Sequence, residues 1–161
     1  MTEKEMFLNS YDREFETTVK TLRAYPTDKF DFKPHEKSRS ARELVWNFVH
    51  EERMILGGGL AGEIIFTTDT APESMDAMIA EYEKLHRDTT EKIRELEDAE
   101  FNVPITMHTG SDKTIDMRRG DAFWLALSDS IHHRGQLSVY IRLAGGKVPS
   151  IYGPSADDPG Q

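Results

Sequence analysis

Asp129 and His133 stand four residues apart in the segment WLALSDSIHHRGQLSVYIRLAGG. On one helix that spacing sets a carboxylate and an imidazole about 40° apart around the axis and one turn along it, so both can reach a single ion. In an earlier helical pattern His50 falls among Trp46, Asn47 and Met54, a mostly apolar stripe that should face the interior and offer a third donor. Two neutral imidazoles and one carboxylate leave a divalent ion with open positions for water or substrate, and such a site can activate either. Plainer readings compete. An Asp-x-x-x-His pair is often a surface hydrogen-bonding pair, and a lone histidine on an apolar face is often a satisfied core residue. His132 could also reach an ion shared with Asp129, but Gln136 and Tyr140 share the stripe of His133, which favours His133.

The remaining polar residues carry less. Arg134 and Arg142 could orient a carboxylate or phosphate, although helix arginines are more often solvated or ion-paired. Glu83 and His86 have the Glu-x-x-His spacing of dinuclear iron bundles, but a second copy is needed and the sequence offers Asn47 and His50 instead. His35 and His108 lie in loop or hairpin segments without ligand spacing. No nucleophile elbow, P-loop or dinucleotide fingerprint occurs, which argues against the common hydrolase, nucleotidase and dehydrogenase designs.

The chain of 161 residues suits one domain with a core of its own. It contains no cysteine, so a metal site must use histidine, carboxylate and water. A formal charge of −9, with basic residues interspersed among acids, argues against nucleic acid as a partner. No run of about 18 apolar residues is present to span a bilayer, and MTEKEMFLNSYDREFETT lacks the apolar core of a secretory signal, so a cytoplasmic location is expected.

Four helices should position these residues. The first runs from about Thr2 to Ala24 on Tyr11, Phe15, Val19 and Leu22. The second starts at the capping box Ser40-Ala41-Arg42-Glu43 and should end at Gly57-Gly58-Gly59. A third follows the Thr70-Ala71-Pro72-Glu73 box and reaches about Ala99, with Met75, Met78, Ile79, Tyr82, Leu85 and Ile93 on its seam. Between Phe101 and Ile115, alternation around Gly110-Ser111 predicts a short hairpin. The fourth helix, from about Met117 to Leu143, should bury Trp124, Leu127, Ile131, Leu137, Val139 and Ile141 and stop at Gly145-Gly146. The Pro-rich tail should be an extended segment held by Ile151 and Tyr152. An all-α four-helix bundle is the expected fold.

The segment SIHHRGQLSVYIRLAGGKVPSIYGPSAD, residues 130 to 157, resembles the C-terminal signature of the DinB/YfiT-like family, and TDKFDFKPHEKSRSARELVWNFVHEE, residues 27 to 52, is similar to its first-ligand region. The resemblance implies a four-helix bundle, commonly a homodimer, with zinc or nickel on one histidine of the second helix and two of the fourth. By position those ligands fall on His50, Asp129 and His133, with Asp129 where the family has histidine. A carboxylate there still suits zinc, nickel, manganese or iron but should leave bound water less acidic. The resemblance further implies a small-molecule substrate, with low-molecular-weight thiols used by some members, and hence a thiol transferase or hydrolase. A non-catalytic metal-binding or structural dimer and a two-histidine-one-carboxylate iron oxygenase are the competing expectations.

Overall fold

Thr2 and Ser40 begin the first two helices in the same way. Each hydroxyl accepts a hydrogen bond from the backbone amide three residues on, Glu5 or Glu43, while that glutamate accepts from the capping residue's own amide. The computed structural model describes residues 1–110 and 112–160. It is mostly helical, with a small three-stranded sheet. Helix α1 spans Glu3–Arg23 and buries Phe7, Tyr11, Val19 and Leu22. Helix α2 spans Ala41–His50 and buries Leu44, Val45, Phe48 and Val49.

The expectation that the glycines end this helix is overturned. From Glu51 to Gly57 the chain continues as a π-helix, then as α3 over Gly58–Ala61, and stops only at Gly62, whose φ of 94° is left-handed. Gly58 and Gly59 are there for contact. A Cβ on Gly58 would sit 2.7 Å from the Glu63 carbonyl oxygen, and one on Gly59 would sit 2.9 Å from the Phe123 ring. The Gly58 neighbour is backbone and cannot swing aside. Gly58→Ala is therefore expected to destabilise the protein by about 1–3 kcal/mol, the usual range for overpacking, read as a lower midpoint in a denaturant melt; an unchanged midpoint would show that the strand gives way.

That neighbouring strand, β1 (Glu63–Ile64), was not expected, and makes the fold more than all-α. It pairs in parallel with β2 (Pro104–Gly110), which pairs antiparallel with β3 (Lys113–Arg118), Ile105 opposite Met117 and Met107 opposite Ile115. The expected hairpin is thus present, although Ser111 at its tip lies outside the described residues.

Helix α4 spans Met75–Glu95, shorter at both ends than expected. Its cap is Ser74, accepting from the Ala77 amide, and the Thr70–Glu73 box lies in the preceding loop. That loop is committed elsewhere: Asp69 accepts from Trp46 and Arg53, and the Pro72 carbonyl accepts from Arg42. Helix α5 spans Arg119–Leu143 and ends before Gly145, φ 85°. Leu127, Leu137 and Ile141 are buried as expected, but Val139 is 57% exposed. Two residues from each of Leu137 and Ile141, it lies about 200° around the axis on the opposite face.

Two apolar cores result. One gathers Leu22, Phe48, Met78, Tyr82, Leu137 and Ile141; the other gathers Phe7, Ile64, Phe101, Ile105, Phe123 and Leu127. Asp129 and His133 sit on the stretch of α5 between them. Among the described residues, no helix is long and apolar enough to cross a membrane.

Candidate metal centre

In a regular helix neighbouring residues point about 100° apart, so His50 and Glu51 would not be expected to share a cavity. The π-helical segment that starts at Glu51 widens the backbone there, and both residues line one cavity of roughly 270 Å³ with Asn47, Asp129 and His133. Widened turns of this kind recur at functional sites. Glu52, also buried, turns the other way: its carboxylate accepts from the Tyr11 hydroxyl and lies 3.7 Å from His86 Nδ1.

A ligand atom from each of Glu51, Asp129 and His133 lies within 4.8 Å of the others. His133 Nδ1 is 2.8 Å from Glu51 Oε1 and 3.6 Å from Asp129 Oδ1. The Ser130 hydroxyl and the Asn47 side-chain amide both donate to Glu51, fixing its orientation. Burial pushes the Glu51 carboxyl above its usual range, although hydrogen bonds from His133 and Ser130 oppose this. The hydrogen bond to Glu51 raises His133 in turn, against desolvation. The pair therefore holds a proton to higher pH than an exposed carboxylate would, and a cation bound there would have to displace it.

The structure thus brings two of the three expected residues, Asp129 and His133, together with a carboxylate that was not expected. His50 lies on the wall of the same cavity, with its Nε2 hydrogen-bonded to Asp69. Asp69 in turn accepts from the Trp46 indole at 2.7 Å and from Arg53; burial raises its pKa, but these bonds and that from His50 outweigh burial and lower it. Glu51 and Asp69 are the residues that sequence reasoning missed. Consecutive acids after an apolar stripe, Glu51-Glu52, were the one available signal.

His132 points out of the cluster, its Nε2 2.9 Å from Gln136 Nε2. Gln136 and Tyr140 line a second cavity of roughly 370 Å³ that shares His133 and Arg39 with the first. Arg134 is engaged in the interior with Glu14 and is not available to a ligand. Glu83 pairs with Arg23, so Glu83 and His86 do not converge on an ion.

A buried carboxylate, a half-buried imidazole and a second carboxylate on a cavity wall suit a borderline or hard divalent cation. Two carboxylates balance its charge, and the open wall leaves room for further donors. The donor set fits a metal.

Comparison with known proteins bears on the same region. No curated protein matches the chain. A DinB-like protein from Bacillus cereus superposes with a TM-score of 0.78 at 24% identity, over 92% of this chain and 97% of that one. A DinB-like protein from Bacillus subtilis superposes with a TM-score of 0.67 at 19% identity, over 87% and 92%. At these identities the likeness speaks for the fold. The DinB family model matches residues 1–160, nearly the whole sequence, and the chain belongs to the DinB family.

Proposed function

We propose that this protein is a metal-dependent enzyme of the thiol-transferase or hydrolase type that holds one divalent ion through Glu51, Asp129 and His133, with His50 as a further donor once released from Asp69. Zinc or nickel is the expected ion, and manganese or iron suits the same donors. The observation that carries the reading is the convergence of three ligand atoms within 4.8 Å on the wall of an open cavity. A divalent ion held there supplies Lewis acidity, lowering the pKa of water or of a thiol brought to it.

The chain's own residues do the rest. Before the ion binds, His133 Nδ1 and Glu51 Oε1 hold a proton between them, and its loss frees both atoms to act as donors. Asn47 and Ser130 keep Glu51 aimed. Met54, Ile55 and Phe66 give the cavity an apolar wall, which limits water around the reacting groups.

Elemental analysis after reconstitution, followed by screens of thiols with electrophilic acceptors and of ester and amide substrates, tests this. One ion per chain with turnover in one screen is the expected result. An ion without turnover would instead favour the non-catalytic metal-binding reading. We also propose a homodimer, supported by the exposure of Leu125, Val139 and Leu143 on α5, 43%, 57% and 57%. Light scattering at micromolar concentration should give twice the 18.4 kDa chain mass, and the monomer mass would overturn it.

A further inference from the structure

Arg39 is an exposed cation placed where the two cavities meet. Its Nη1 donates to Asn47 Oδ1 at 2.9 Å and lies 3.4 Å from His133 Nε2, the ring nitrogen facing away from Glu51. Neither Asn47 Oδ1 nor His133 Nε2 carries a negative charge, so neither neutralises the guanidinium. Neighbouring arginines are neutralised: Arg42 pairs with Asp31, and Arg53 with Asp69 and Glu81. Among the described residues no carboxylate lies within ion-pair distance of Arg39. The segment is nonetheless held in place, because the Tyr140 hydroxyl donates to the Arg39 carbonyl at 3.0 Å and Ser40, next in sequence, caps α2.

The cavity of roughly 370 Å³ beside it is lined by Ser38, Leu44, Gln136 and Tyr140 as well as His133. These offer neutral hydrogen-bonding groups and an apolar side chain, and no acid. Its volume lies at the lower end of small-molecule sites. We propose that Arg39 is the substrate-binding cation of this protein and takes the single carboxylate of a small ligand whose other end reaches the metal centre. This rests on the metal reading above.

The charge balance selects a single carboxylate at the Arg39 end of the ligand. Two carboxylates, Glu51 and Asp129, offset a divalent ion, so Arg39 supplies one positive charge in excess, enough for a carboxylate and too little for a phosphate dianion in a chain of net charge −9. The planar fork of a guanidinium matches a carboxylate with two parallel hydrogen bonds. The ligand must also be short. The guanidinium and the cluster of ligand atoms face opposite nitrogens of one imidazole ring, so only a few bonds separate the two anchoring points.

Two thiols that differ only at the far end test this: 3-mercaptopropionate and 3-mercaptopropanamide, titrated into the cobalt-loaded protein and followed by the thiolate-to-cobalt absorption. Wild-type protein should bind the acid at least about tenfold more tightly than the amide, the value of one charge-assisted hydrogen bond. Arg39→Gln should remove that preference, and Arg39→Lys should restore part of it, since an ammonium keeps the charge without the fork. Because both thiols are compared within each variant, any change in the metal site itself cancels. No preference in the wild type, or an equal preference in Arg39→Gln, overturns the assignment of Arg39. Failure of the wild type to take up cobalt overturns the metal reading instead.

Discussion

Asp129→Ala and His133→Ala are each expected to lower the affinity for a divalent ion by at least about a hundredfold, more than the 10–100-fold usually lost with a residue that only supports a ligand. Each removes a donor atom from a site with few donors, and water is a poor replacement. Asp129→His should behave differently. An imidazole at the same helical position can reach the same ion and reproduces the three-histidine pattern that the family resemblance implies, so binding should be retained or strengthened. Competition titrations with a chromogenic chelator measure all three, with circular dichroism to confirm that the helices persist. Unchanged affinity in Asp129→Ala would mean that the carboxylate acts only through its charge beside His133.

Glu51 and His50 then separate two versions of the centre. If Glu51 is a direct donor, Glu51→Gln should weaken binding about as much as His133→Ala, while His50→Ala costs little. If the ion instead draws His50 away from Asp69, the order reverses, and the indole of Trp46, which shares Asp69 with His50, should change its fluorescence on metal binding. Equal tolerance of both substitutions would leave Asp129 and His133 as the whole protein contribution.

Particular residues show why some of this was legible in the sequence and some was not. The Ser40–Glu43 box and Gly145 marked helix ends correctly because each signal is local: a side chain reaching three residues along, and a backbone conformation that favours glycine. Asp129 and His133 were legible for the same reason, since helical spacing alone puts them together. Gly58 misled. Its lack of a side chain serves contact with Glu63 and Ile64, which depends on where β1 lies, and a two-residue strand has no periodicity to announce it. The Thr70–Glu73 box failed because tertiary bonds from Trp46, Arg53 and Arg42 hold that loop out of a helix. Glu51 was missed because regular geometry points it away from the stripe of His50, and only the π-helical turn brings both onto one wall.

Arg134→Met is expected to be the most destabilising single substitution considered, at about 3–5 kcal/mol, the usual result of stranding one half of a buried ion pair. Arg134 is 1% exposed and Glu14 is 4% exposed. Nη2 of Arg134 donates to Glu14 Oε2 at 2.6 Å, and Nη1 donates to the Glu14 carbonyl at 3.0 Å and to the Thr18 hydroxyl at 3.2 Å. The tail closes the group: the Tyr152 hydroxyl donates to the same Glu14 oxygen at 2.7 Å, and the guanidinium lies 5.1 Å from the centre of its ring. Tyr152 thus fixes the tail through its hydroxyl and ring face and not through burial, its side chain being 70% exposed. Methionine keeps much of the volume of arginine but leaves the Glu14 carboxylate with only the Tyr152 hydroxyl and the exposed Arg13 as partners. For a chain of this length the melting temperature should fall by roughly 10 °C. Adding Glu14→Leu should recover most of the loss, because the pair costs desolvation that two apolar side chains avoid. The pH dependence gives a separate check. Burial alone would raise the Glu14 carboxyl, but hydrogen bonds from Tyr152 and Arg134 outweigh it and hold the pKa below the ordinary carboxylate value. A carboxyl with a depressed folded pKa contributes stability above its unfolded pKa and loses that contribution as pH falls through the folded one. Wild-type stability should therefore decline on acidification below the ordinary glutamate range, at about pH 4.3, and the Glu14→Leu/Arg134→Met protein should decline less steeply there. Parallel acid-denaturation curves for the two proteins would show that this pair is not what Glu14 and Arg134 contribute to folding.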